Sequence, residues 1–197
     1  MKISDTKEKI MNVSLKLFSE KSYNGASIRQ IANTIGIRES AIYNHFKSKD
    51  EILSEIISAF GKRNFGSLIL TDKLIDNISK PEKFFQLLSE NLLNFWNSEK
   101  ERMFIKLLMS INVEEEPINK YSFFNYLKDF ENLCAFIFKE MMKHNFIRKN
   151  NESLLAKEFL SPLFLSIVQT IFYTSKNDGY EINTKKHANF FWNGIRN

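Results

Sequence analysis

The chain has 197 residues, 28 Lys+Arg against 23 Asp+Glu, and a formal net charge of +5. That length holds one domain or two small ones, and 43% hydrophobic with 26% charged residues suits a soluble protein with a real core. The single cysteine, Cys134, excludes an internal disulfide framework, and six Gly with three Pro leave little chain for turns, which favours an all-α protein.

Residues 5–20 place Ile10, Val13, Leu17 and Phe18 at helical intervals and predict a first helix. The polar residues 1–9 do not read as a signal peptide, so a cytoplasmic location is expected. Ser27 and Gln30 have the spacing of a capping box, and Ile28, Ile31, Ala32 and Ile35 continue a second helix over 27–35. Gly36 follows, where helices commonly end in the left-handed conformation. Residues 39–46 predict a third helix with Ile42 and Phe46 inward and Arg38, Glu39, Ser40, Tyr43 and Asn44 on other faces. Two short helices about a glycine turn form a helix-turn-helix, whose second helix is built to enter a DNA major groove. Ser48 and Glu51 repeat the capping-box spacing and open a fourth helix over 48–65, whose stripe Ile52, Leu53, Ile56, Ile57 and Phe60 makes it a lever to the rest of the chain.

Residues 67–80 are a short amphipathic segment or a loop. Pro81 suits the first position of a helix carrying Phe84, Phe85, Leu88, Leu92, Phe95 and Trp96, and residues 99–111 form another. Glu114–Pro117 reads as a turn, a solvated loop rather than a cation site. A long helix over 119–143 carries Phe123, Phe124, Leu127, Phe130, Leu133, Ile137, Phe138, Met141 and Met142. Another over 152–176 should kink at Pro162, Asn177-Asp178-Gly179 is a turn, and 184–195 is the last helix. The longest apolar segment, 159–173, is interrupted by Ser161, Pro162, Ser166, Gln169 and Thr170 and is shorter than the roughly 20 residues of a span, so no membrane partner is expected.

Charge is uneven. The first 50 residues hold nine Lys/Arg and five Asp/Glu of the 28 and 23 in all, leaving 19 against 18 elsewhere. A phosphate backbone rewards such a local excess through counterion release.

Ile10, Leu17, Phe18, Tyr23, Ser27, Ile31-Ala32, Gly36-Ile37, Ile42-Tyr43, His45-Phe46, Lys49 and Leu53 together resemble the DNA-binding domain of the tetracycline-repressor-like (TetR) transcriptional regulators. Outside about 10–53 the resemblance extends only to a general helical plan and total length. Two positions depart from the pattern. Ser22 stands where the family often has glycine, and Arg38 where it often has Ser or Thr, so either Arg38 is freed to touch DNA or the recognition helix starts at a different residue, with Ser40 the nearby polar alternative.

The resemblance implies that Ser27, Tyr43, His45 and Lys49 hold phosphates, as their hydroxyl, imidazole and ammonium donors can. Arg29 and Arg38 are equipped to read a guanine edge, Glu39 to accept from a cytosine amino group, and Ala41 to touch a thymine methyl; Ser40 and Asn44 complete the candidate DNA-facing set. It also implies an unidentified small-molecule effector in the carboxy-terminal helices. Trp96, Phe104, Tyr121, Tyr126 and Phe130 are the candidate lining, favouring a lipophilic or aromatic ligand. Phe164, Ile167, Val168, Ile171, Phe172, Phe191 and Trp192 are candidates for a four-helix interface with a second copy.

No cofactor, metal or enzymatic activity is expected. His45, His144 and His187 lack ligand spacing with one another, and Cys134 reads as a buried thiol. The expectation is an all-α chain with a helix-turn-helix domain over 1–47 and an effector-binding and dimerisation domain over 48–197. Its partners would be double-stranded DNA, a second copy and the effector. It would act as a ligand-responsive repressor on a palindromic operator. The alternative is a helix-turn-helix scaffold serving as a protein-interaction module.

Overall fold

A computed structural model describes residues 3–111, 121–172 and 182–196. The expected turns at 114–117 and 177–179, and the helix ends at 119–120 and 173–176, lie outside these residues. The described chain is all-α. Its helices are α1 Ile3–Gly25, α2 Ile28–Ile35, α3 Glu39–Tyr43, α4 Lys49–Gly61, α5 Phe65–Ile69, α6 Asp72–Ile75, α7 Pro81–Asn97, α8 Glu99–Ser110, α9 Phe123–Lys143, α10 Glu152–Phe172 and α11 Thr184–Ile195.

Two compact units emerge, one from the described residues of Met1–Arg63 and Glu99–Tyr126, the other from those of Asn64–Ser98 and Leu127–Asn197. This division by packing differs from the expected boundary at 47/48, because α8 packs along α1.

In the first unit, α1 also packs on α2 and α4 around buried Ile10, Phe18, Ile31, Ala32, Ile42, Phe46, Ile52, Leu53 and Ile56. α1 runs past the expected residue 20 but breaks at Ser22, whose φ of 63° and ψ of 165° are not the left-handed helical pair. That region is essentially the preserve of glycine, and a side chain there costs roughly 1–3 kcal/mol. α3 stops at Tyr43 rather than Phe46. The amides of His45 and Phe46 both donate to the Ile42 carbonyl (2.9 and 3.0 Å), so the chain leaves the helix in a turn that still buries Phe46. Arg38 is the N-cap, with extended backbone, so the helix opens there and not at Ser40.

α4 is shorter than the predicted 48–65 lever. It ends at Gly61, Arg63 Nε donates to the Phe60 carbonyl (2.8 Å), and Asn64 already caps α5. Gly61 meets the Tyr121 ring so closely that a Cβ would sit 3.1 Å from a ring carbon. At the other end, Ser48 Oγ accepts from the Glu51 amide (3.1 Å), but the Glu51 carboxylate takes the Lys47 amide instead of completing the box at Ser48.

The second unit is built on aromatic side chains. Pro81 opens α7 as expected, and α7 packs with α10, α11, α5 and α6. Phe85 has Phe191, Phe138 and Phe159 around it at 5.3, 5.8 and 5.8 Å, and Trp96 is met edge-on by Phe130 and Phe164 at 5.0 and 5.2 Å. Residues 67–80, left open between segment and loop, hold the end of α5, the one-turn α6 and turns.

α10 runs through Pro162 for 21 residues, and with an 18-residue stretch of mean hydropathy 1.4 it is, by length and composition alone, long and apolar enough to cross a membrane. The segment 159–173, weighed by itself, understated that length. Leu155, Phe159, Leu160, Leu163, Ile167 and Ile171 are buried and α10 packs on α7, as the core helix of a globular unit does.

Burial divides the candidate dimer surface. Ile167, Ile171 and Phe191 belong to the unit's own core, Phe164 packs on Trp96, and Val168 and Trp192 are half-buried. Of the seven, Phe172 is the exposed one, and the other outward apolar side chains of these two helices are Leu154, Leu165 and Phe190.

Candidate nucleic-acid interface

The geometry of α2 and α3 follows from three features. Ser27 Oγ accepts from the Gln30 amide (3.2 Å) and Gln30 Oε1 accepts from the Ser27 amide (3.1 Å), closing the capping box. Gly36 takes φ 80° and ψ 34°, and its amide and that of Ile37 both donate to the Ala32 carbonyl at 2.9 and 3.0 Å. This left-handed end turns the chain sharply after α2 without a Cβ penalty. Burial of Ile31, Ala32 and Ile35 on α2, and of Ile42 with Phe46 at α3, then fixes which residues point away.

Those left exposed are Ser27 and Arg29 at the start of α2, and Arg38, Glu39, Ser40, Tyr43 and Asn44 along α3, with Ala41 and His45 half-buried. Tyr43 is 53% exposed, a large aromatic with a phenol that the core does not use. Arg38 makes no side-chain capping bond, so its guanidinium is not spent on closing α3. Ser27 Oγ is occupied as an acceptor by its cap, while its O–H can still donate.

Lys49 is placed differently from a simple surface cation. Its Nζ donates to the Tyr23 and Ala26 carbonyls (2.9 and 3.0 Å) and lies 4.2 Å from the Tyr23 ring centre, while the Tyr23 hydroxyl donates to Asp50. The first turn of α4 is thereby tied to the end of α1. With two of three ammonium donors engaged, one remains for an external acceptor. Sequence reasoning missed this clamp, since its acceptors are backbone carbonyls that no residue pattern marks.

It also missed Glu101. This residue of α8 is 1% exposed, its carboxylate held by Arg63 (2.6 and 2.9 Å) and by the Tyr126 hydroxyl (2.6 Å). Burial, then the Glu101 charge, hold the Tyr126 phenol well above its ordinary range.

The effector candidates fall into two clusters. Phe104 and Tyr126 meet edge-on at 5.9 Å in the first unit, where half-buried Tyr121 also lies. Trp96 and Phe130 meet in the second, and all but Tyr121 are fully buried. Among the described residues, the buried Trp96 indole N–H has no hydrogen-bond partner. Burial raises the Cys134 thiol far out of the range in which it would ionise.

Residues 10–56 match the family model described as bacterial regulatory proteins, tetR family. The chain is 38% identical over 66 residues to the HTH-type transcriptional regulator AcrR of Shigella flexneri, a match covering 34% of this chain and 30% of that protein. The matches to the first curated relatives span only 30 to 44% of their lengths. Among solved structures, a Clostridium perfringens chain described as a candidate fatty acid metabolism regulator is 27% identical, with a TM-score of 0.59 over 94% of this chain and 95% of that one. The transcriptional regulator FadR from Bacillus subtilis, in complex with stearoyl-CoA, shares the fold at 15% identity, with a TM-score of 0.63 over 94% and 95%. The capped helix-turn-helix therefore defines a DNA-binding fold, and residues 10–56 form a DNA-binding segment of the tetR family of bacterial regulatory proteins.

Proposed function

We propose that the chain is a sequence-specific DNA-binding transcriptional regulator, a ligand-responsive repressor acting in the cytoplasm as a homodimer on a roughly palindromic operator. The observation that carries this reading is the exposed row Arg38, Glu39, Ser40, Tyr43 and Asn44, raised on α3 by the buried Ile42 and Phe46. Base-reading and phosphate-binding groups share that face, and the local basic excess supplies the sequence-independent attraction. Outward Leu165, Phe172 and Phe190 support a second copy as partner, since two recognition helices are what an inverted repeat requires.

A lipophilic or aromatic effector is supported by the Trp96–Phe130 and Phe104–Tyr126 clusters, and the unpartnered Trp96 N–H suits a ligand bearing a hydrogen-bond acceptor. The names of the Clostridium and Bacillus structures point to the same lipid chemistry.

The test is selection from a randomised duplex library at near-physiological salt. An inverted repeat is expected. Arg38→Ala should weaken binding to it by about 1–3 kcal/mol and relax one base position, whereas Tyr43→Ala should weaken all sequences alike. A folded protein that enriches no repeat would sink the proposal.

A further inference from the structure

Glu101 is the only charged residue buried among the described residues. A carboxylate out of water carries a large desolvation cost, and here three donors offset it: both terminal nitrogens of Arg63 and the Tyr126 hydroxyl. Arg63 is engaged at its other edge too. Its Nε closes the last turn of α4 at the Phe60 carbonyl, and its guanidinium carbon lies 4.3 Å from the Phe60 ring centre. Phe60 stacks on Phe104 at 4.2 Å, and Phe104 meets Tyr126. One buried carboxylate thus joins the end of α4, the start of α8 and the first turn of α9, all within the unit that carries the helix-turn-helix.

Such a network is a poor way to add stability, because an apolar replacement of matched volume commonly does as well. Its particular property is direction. A two-pronged guanidinium–carboxylate pair fixes both distance and angle, which packed methyl groups do not.

We propose that Glu101 is a positioning residue for operator recognition, acting through Arg63 to set the end of α4 and with it the DNA-binding helices. This rests on the function proposed above and deepens it. The body delivered to DNA is α1–α4 together with α8, so α4 does not swing as a free lever. An effector must carry α8 with α4 or open the Arg63–Glu101–Tyr126 network.

The experiment compares the full-length wild-type protein with the paired apolar variant Arg63→Met/Glu101→Leu. It measures denaturation midpoint, affinity for the selected inverted repeat, and affinity for generic duplex DNA. The expected result is a midpoint close to wild type, the gain from the apolar pair being offset by the Tyr126 hydroxyl that loses its Glu101 acceptor, with generic affinity unchanged and repeat affinity lower by about tenfold. A stable paired variant that binds the repeat like wild type overturns the proposal, since a merely structural network would then have been replaced without loss. If the paired variant does not fold, Arg63→Lys decides by the same comparison: it keeps the charge and loses the fork. A tenfold loss of repeat affinity supports positioning, and none overturns it. A wild-type protein that selects no repeat removes the underlying function itself, an outcome distinct from either.

Discussion

The helix-turn-helix and the second unit are stabilised by different means. Between Ser27 and Phe46 the shape is set by short-range devices, a reciprocal cap, one left-handed glycine and a turn closed on the Ile42 carbonyl, each within a few residues in sequence. The second unit relies on rings brought together from distant helices, as Phe85 meets Phe138, Phe159 and Phe191. Only three of the 19 phenylalanines lie before residue 64. Local devices keep α2 and α3 in place with few buried atoms, leaving the outer face of α3 free for polar groups.

Denaturation measurements can break this contrast. The largest effect is expected from Phe85→Ala, at about 3–5 kcal/mol, because a fully buried ring with five aromatic neighbours leaves a cavity that they cannot close. Tyr43→Ala should cost almost nothing in stability, since its ring is half in solvent. Equal losses would show that the exposed row is core after all.

Next is Glu101→Ala, at about 2–4 kcal/mol, below the full range for a buried pair because Arg63 retains some solvent contact. Glu55→Ala removes the Lys7 pair, whose partners are 42% and 47% exposed, and should cost no more than about 0.5 kcal/mol. A double-mutant cycle on each pair measures the difference directly.

Opposite in sign, and smaller than the Glu101 loss, is Ser22→Gly. Freeing the backbone at φ 63° and ψ 165° should stabilise the protein by about 1 kcal/mol, seen as a higher urea midpoint with unchanged slope. A loss would mean that the weak bond from the Gly25 amide to Ser22 Oγ outweighs the strain.

The smallest effect concerns pH. Burial holds the His187 pKa below its ordinary 6.5, against the partly offsetting hydrogen bond to the Phe159 carbonyl. The unfolded chain therefore takes up the proton first. The stability that this histidine contributes is complete above pH 6.5 and is lost as pH falls from there through the folded value. Denaturation midpoints between pH 7.5 and 5.5 should fall in wild type, and less steeply in His187→Gln.

How much was legible in the sequence follows the same division. Ser27, Gln30, Gly36 and Pro81 named their own positions, because caps and turns depend on residues within four places of one another. The details that no residue pattern marked are those with distant or backbone partners. Lys49 found the carbonyls of Tyr23 and Ala26, and Glu51 reached Lys47 instead of Ser48. α4 ended early, where Gly61 meets the Tyr121 ring. On α10 and α11, hydrophobicity marked Ile167, Ile171, Phe172, Phe190 and Phe191 alike, and only packing separates the buried three from the exposed Phe172 and Phe190.

By itself, then, the sequence determined an all-α chain, a capped helix-turn-helix near its amino terminus and the membership of that segment in a family, since periodicity, caps and a left-handed glycine are local properties of the backbone. The packing of α8 with the DNA-binding helices, and the burial of Glu101 under Arg63 and Tyr126, came from contacts between distant parts of the chain. The cost of burying a charge is set by groups that approach from elsewhere in the chain, and no short window of residues contains them.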